Sequence, residues 1–144
     1  MNCNLIEIAA SQYGIKEIIG EKHNPEVLKY FQEIGHKWVY NDELAWCAAF
    51  VNWCLLKSGF EHTGKLNARS FLDIGEAVKN PQFFDLVVLW RIKPDSEYGH
   101  VGFFYNFTPE GKINLYGGNQ RNQVCIMPYS ENRLLSYRRL SLAA

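Results

Sequence analysis

The segment Trp46-Cys-Ala-Ala-Phe-Val-Asn-Trp-Cys-Leu-Leu56 constrains the fold most. It is apolar nearly all round, with Asn52 as its polar break, and it runs out at Ser58-Gly59. A helix without a polar face must be covered on every side, so the rest of the chain has to wrap it. Two amphipathic helices precede it. Residues 3–19 carry Leu5, Ile8, Ala9, Tyr13, Ile15, Ile18 and Ile19 at helical spacings, interrupted by Gly14 and closed by Gly20. Asn24-Pro25 then supplies an N-cap followed by proline at the first helical position, and Val27, Leu28, Phe31 and Ile34 continue the period to Gly35. A further short helix is expected from Ser70 to Val78, with Ser70 as cap.

From Asp85 the pattern changes to β-branched and aromatic runs: Leu86 to Ile92, His100 to Phe107, Lys112 to Tyr116, Gln123 to Met127 and Leu134 to Leu140. Pro94-Asp95-Ser96, Thr108-Pro109-Glu110-Gly111 and Gly117-Gly118-Asn119 provide the turn chemistry between them. Helices first and strands after predict an α+β fold, with an antiparallel sheet of about five strands, a meander, packed on the buried helix. At 144 residues the chain is expected to be one domain, helical over 1–80 and β-rich over 85–140.

Fifteen basic and fifteen acidic side chains leave no net charge, which argues against nucleic acid as a partner. The last 26 residues do lean basic, with Arg121, Arg133, Arg138 and Arg139 against Glu131 alone, a weak sign of an anionic contact. No stretch approaches the length of a membrane helix, so no membrane partner is expected. The start, Met1 to Ile8, has no basic leader and is interrupted by Glu7, so synthesis in the cytoplasm without self-directed export is expected. Four cysteines show no CxxC pairing, and neither a metal nor a cofactor is expected.

Cys47 and Cys54 both lie on the buried helix, but Cys47 stands in its first turn, where unsatisfied N–H groups favour thiolate over thiol. Cys54 reads as a small core hydrophobe. A nucleophile needs a base, and His100 is the best placed of four histidines: strand alternation puts His100, Gly102 and Phe104 on one face, and the glycine leaves room beside the imidazole. A polar residue on a neighbouring strand must then hold the imidazole tautomer, and Asn119 in Gly117-Gly118-Asn119-Gln120 is the natural choice. The order Cys, His, polar residue is papain-like.

Taken together, Asp42 to Leu55, Ala68-Arg69-Ser70-Phe71-Leu72, Gly99-His100-Val101-Gly102-Phe103 and Gly117-Gly118-Asn119-Gln120 resemble, in that order, the CHAP and NlpC-type families of bacterial and phage cysteine hydrolases. The resemblance implies a papain-like core and cleavage of amide bonds in peptidoglycan, with Cys47 as nucleophile, His100 as general base and Asn119 near the third polar position. CHAP domains often carry Glu two residues before an Asn on this strand. Gly117 stands there instead, so the orienting group is Asn119 or Gln120.

Asp42 and Glu43 either bind a free amine of the substrate or complement the helix dipole, the simpler reading. Arg69 is a candidate for a substrate carboxylate, and Trp46 is a supporting residue or core. The expected partner is a peptidoglycan peptide, acted on by a monomer. An interbacterial effector with an immunity protein, or a phage-type lysin, both delivered to the wall or periplasm by another system, fit this pattern. The alternatives are a catalytically silent binding module on the same scaffold and an acyltransferase using the same Cys-His pair.

Overall fold

The computed structural model describes residues 3–18, 23–39 and 45–143. Ile19, Gly20, Asp42 and Glu43, named above, lie outside them. Among the described residues three α-helices, α1 (Cys3–Ala10), α2 (Pro25–Gln32) and α3 (Cys47–Ser58), precede a 3-10 helix at Ala68–Asp73. Six strands follow: β1 (Glu76–Val78), β2 (Leu86–Trp90), β3 (Gly99–Phe107), β4 (Ile113–Gln120), β5 (Gln123–Tyr129) and β6 (Leu134–Arg139). The fold is α+β and papain-like, as expected.

Helix α3 is buried from Cys47 to Leu55 and packs against α1, α2, β3 and β4. Its C-terminus closes on Gly59 at φ 82°, whose N–H reaches back to Leu55 O and Leu56 O, a left-handed cap that glycine adopts without strain. The polar break, Asn52, is fully buried and satisfied. Its Nδ2 donates to Lys65 O at 2.8 Å, and its Oδ1 accepts from the Thr63 N–H at 2.9 Å. This pins residues 63–65 to the helix and leads the chain directly into Leu66, Asn67 and Ala68. Helix α2 begins as the sequence implies, with Asn24 Oδ1 accepting from the Glu26 N–H at 2.9 Å and Pro25 at the first helical position.

Two segments depart from the expectations. Helix α1 ends at Ala10; Gly14 takes φ 86°, and the following residues run alongside β5, where Val124 N donates to Ile15 O at 2.8 Å and Lys16 pairs Gln123. The helix expected at Ser70 to Val78 is a 3-10 turn followed by strand β1. Gly75 at φ 67° breaks the helix, and Asn67 rather than Ser70 occupies the capping position. Ser70 Oγ instead lies 2.8 Å from both Asn67 O and Thr63 Oγ1, inside the fold.

The sheet is antiparallel with order β1-β6-β2-β3-β4-β5, so β2 to β5 form the expected meander while β6 returns beside β2. That return requires curvature. Four strand spacings of about 4.8 Å would separate β5 from β6 in a flat sheet. Their connection, Ser130 to Arg133, contains a 3-10 turn and cannot span that distance at about 3.5 Å per extended residue. The sheet therefore curls until its ends approach. One face, with Leu86, Val88, Val101, Phe103 and Tyr116, packs on the helices; the inner face holds Val87, Leu89, Phe104, Ile113, Leu115 and Tyr137. Each fully buried Leu or Phe here contributes roughly 1.5–3 kcal/mol.

Candidate active site

The first turn of α3 is placed by steric fit. Gly118 faces it, and a Cβ at that position would lie 2.7 Å from Phe50 Cβ and 2.8 Å from Trp46 Cζ3, so the close approach of helix and strand needs glycine. Trp46 is fully buried, with its Nε1 donating to Glu17 Oε1 at 3.1 Å and its ring stacked on Tyr30. It is a core residue that fixes the turn, and Cys47 follows at the rim.

Strand β3 presents His100 on the inner face, opposite Leu89. The β3–β4 ladder runs from Phe103↔Tyr116 to Phe107↔Ile113. At the His100 end the two strands are paired only with their outer neighbours, β2 and β5. Cys47 enters there from the helix side, where the backbone N–H groups of Val101 and Ala48 favour its thiolate.

The third member comes from an irregularity in β4. Between Gly117↔Cys125 and Gln120↔Gln123, β4 carries one residue more than β5. Asn119 sits in this bulge at φ 55°. A one-residue insertion reverses the inward–outward phase of all that follows, and it turns Gln120 to the face of Gly117 and His100. Gln120 is 1 % exposed and His100 7 %. Gln120 Oε1 lies 2.9 Å from His100 Nε2, while Gln120 Nε2 donates to Leu115 O at 3.1 Å and Cys125 O at 2.6 Å.

Two carbonyls can only accept, so the amide orientation is assigned, and with it the imidazole. Gln120 presents its oxygen to His100, and Nε2 therefore carries a hydrogen in both the neutral and the charged ring. Nδ1 is left to exchange a proton with Cys47. Tyr129 completes the packing: its ring stacks on the imidazole with centroids 5.0 Å apart, and its hydroxyl lies 3.2 Å from Nε2.

Electrostatics separates the cysteines. Cys47 is 8 % exposed, and burial, the largest single influence, pushes its thiol up. The charge and hydrogen bond of His100, with the N–H groups of Val101 and Ala48, outweigh it and hold the thiol below its ordinary value. At Cys54 burial outweighs the charge of Lys29 and pushes the thiol well up. Burial likewise raises the Cys125 thiol and the Tyr129 phenol, which stays protonated.

Cys47, His100 and Tyr129 line a cleft of about 500 Å³ whose walls include Ala45, Asn67, Glu97, Asn119 and Arg133. The CHAP domain family model matches residues 39–119, more than half of the 144-residue chain, including both Cys47 and His100. The chain belongs to the CHAP domain family. CHAP domains are generally cysteine- and histidine-dependent amidohydrolases, and their general activity is peptidoglycan hydrolysis. No curated protein matches the chain significantly.

Within this CHAP domain two candidate residues take places different from those expected. Asn119 lines the cleft, but the group on His100 is Gln120, because the bulge turns only the latter inward. Arg69 commits four of its five N–H donors to the protein itself. Its Nε donates to Tyr98 O at 2.9 Å, Nη1 to Pro94 O at 3.0 Å, and Nη2 to Lys93 O and Ser96 Oγ. It clamps the β2–β3 loop that forms one wall. Gly117 also finds its reason: a Cβ there would lie 2.8 Å from Gln120 Oε1. The amide of Gln120 thus fills the space into which a Glu at 117 would project.

Tyr129, Arg91 and Arg133 are cleft residues that sequence patterning did not single out as a site. The basic lean of the last 26 residues was the one signal pointing toward Arg133.

Proposed function

We propose that this CHAP domain cleaves an amide bond in the stem peptides or cross-links of peptidoglycan, with Cys47 as nucleophile, His100 as base and Gln120 as the residue that positions the imidazole. The observation that carries the reading is the Gln120–His100 hydrogen bond, which commits Nε2 to donation and leaves Nδ1 free to take a proton beside a thiol held below its ordinary value.

The steps follow from these roles. His100 Nδ1 takes the Cys47 proton, and the sulphur attacks the scissile carbonyl carbon. The resulting oxyanion meets the Cys47 backbone N–H, and one such donor stabilises the transition state by about 3 kcal/mol. The imidazolium returns its proton to the departing amine as the C–N bond breaks. Water, activated by the neutral imidazole, then hydrolyses the thioester and restores the thiol. Such a substrate implies action at the wall or periplasm, as an effector with its immunity protein or as a phage-type lysin.

The test is digestion of purified sacculi by wild type and Cys47→Ala, with mass spectrometry of the fragments. New amine and carboxyl ends released by wild type alone support the hydrolase and name the bond. Release of nothing by wild type sinks the peptidoglycan reading.

A further inference from the structure

The cleft holds a second set of groups that takes no part in the sulphur chemistry. Arg133 Nε donates to Trp90 O at 3.0 Å, and Trp90 Nε1 in return donates to Asn132 O at 3.1 Å, so the β5–β6 connection is tied to the end of β2. The guanidinium lies 5.4 Å from the centre of the Tyr129 ring, the same ring that stacks on His100. Its Nη groups have no partner among the described residues. Arg91 follows Trp90 on the same wall, exposed, and its guanidinium is likewise without a partner among the described residues. The charges of both arginines favour the ionised form of the Tyr129 hydroxyl, so both act on the point where Tyr129 meets His100.

The remaining arginines of the C-terminal strand and the 3-10 turn behave differently. Arg69 spends four of its five N–H donors on the β2–β3 loop, Arg138 bonds Ile74 O and Gly75 O through Nε and Nη2, and Arg139 forks onto Asp85. Arg91 and Arg133 thus present unengaged planar donors at the cleft, in a chain of zero net charge. The other described lining residues are apolar or neutral apart from His100 and Glu97, an exposed carboxylate that makes no ion pair with either arginine. A guanidinium presents paired N–H groups that match a carboxylate fork and discriminate it from a neutral carboxamide.

We propose that Arg91 and Arg133 form a carboxylate-reading subsite beside Cys47, and that the peptides this CHAP domain cleaves carry a free carboxylate close to the scissile amide. The inference rests on the amidase reading above. Charge-assisted hydrogen bonds of this kind correspond to roughly tenfold to a hundredfold in kcat/KM.

The experiment uses two synthetic stem-type peptides, identical except that the carboxylate beside the scissile amide is free in one and a carboxamide in the other, with sacculi digested in parallel. Wild type is expected to prefer the free carboxylate at least tenfold, with the preference shrinking as salt is added. Arg91→Gln and Arg133→Gln are each expected to cut the preference through KM, and the double variant to abolish it. Arg91 is exposed and holds no other element, so Arg91→Gln keeps the test valid where Arg133→Gln fails to fold. Equal rates on both peptides, with sacculi still digested, overturn the subsite and leave the hydrolase reading standing. No cleavage of peptides or sacculi by wild type overturns both.

Discussion

Gln120 reaches back over Gly117 to meet His100: its Oε1 lies 2.9 Å from the imidazole Nε2, and 2.8 Å from where a Cβ on residue 117 would stand. The two positions therefore compete for one volume beside the histidine. Gln120→Ala is expected to lower kcat by about 100-fold, in the range of lost acid–base catalysis, by freeing the ring to rotate and change tautomer. Asn119→Gly, which keeps the left-handed backbone of the bulge, should stay within a fewfold of wild type. Steady-state kinetics on one peptide substrate compares them, and the reverse ranking would return the positioning role to Asn119.

The same competition predicts a compensating pair. Gly117→Glu alone should clash with the buried amide and lose both stability and activity. Combined with Gln120→Ala, the new carboxylate enters the vacated space, and the double variant should exceed Gln120→Ala in kcat/KM. A double-mutant cycle measures this coupling, and additive losses would refute it.

The Cys47 thiol sits below its ordinary value because His100 and two backbone N–H groups overcome burial. More thiolate is therefore present at any given pH, and the midpoint of iodoacetamide labelling should fall below the ordinary thiol value of about 8.5. Replacing His100 by Ala removes the leading downward influences while burial remains, so the midpoint should rise. A midpoint that does not move on His100→Ala separates the two residues chemically.

Gly118→Ala tests how Cys47 is placed. The added methyl meets Phe50 and Trp46 at less than contact distance, and overpacking of this kind costs about 1–3 kcal/mol. Thermal unfolding should show Tm lower by roughly 3–10 °C for a domain of this size, together with slower labelling of Cys47. An unchanged Tm would mean that the helix start yields at no cost.

Arg69→Ala should release the β2–β3 loop without touching substrate choice. Amide hydrogen exchange over residues 91–98 is expected to accelerate, while any discrimination between free carboxylate and carboxamide peptides persists. Loss of that discrimination in Arg69→Ala would restore the recognition role first expected of it.

The neighbourhood of Cys47 and His100 was legible because their placement is local: a cysteine in the first turn of an all-apolar helix, and a histidine on the glycine-thinned face of a strand. Gln120 was not separable from Asn119, because the choice depends on a bulge that exists only in the pairing of β4 with β5. Strand β1 was hidden for a similar reason. Glu76 to Val78 carry no alternating apolar pattern and become a strand only by pairing with β6. Tyr129 and Arg133 are brought to the cleft by the curl of the whole sheet, which no short window of sequence encodes.

That curl has a consequence for the order in which the chain is made. Cys47 leaves the ribosome early and His100 follows, but Gln120, Tyr129 and Arg133 come from the last strands, and β6 must return to β2 before the sheet closes around the imidazole. A nascent chain halted before Gln120 carries a cysteine without an oriented base. The Cys47–His100–Gln120 arrangement is therefore assembled only once the last strands have emerged and paired.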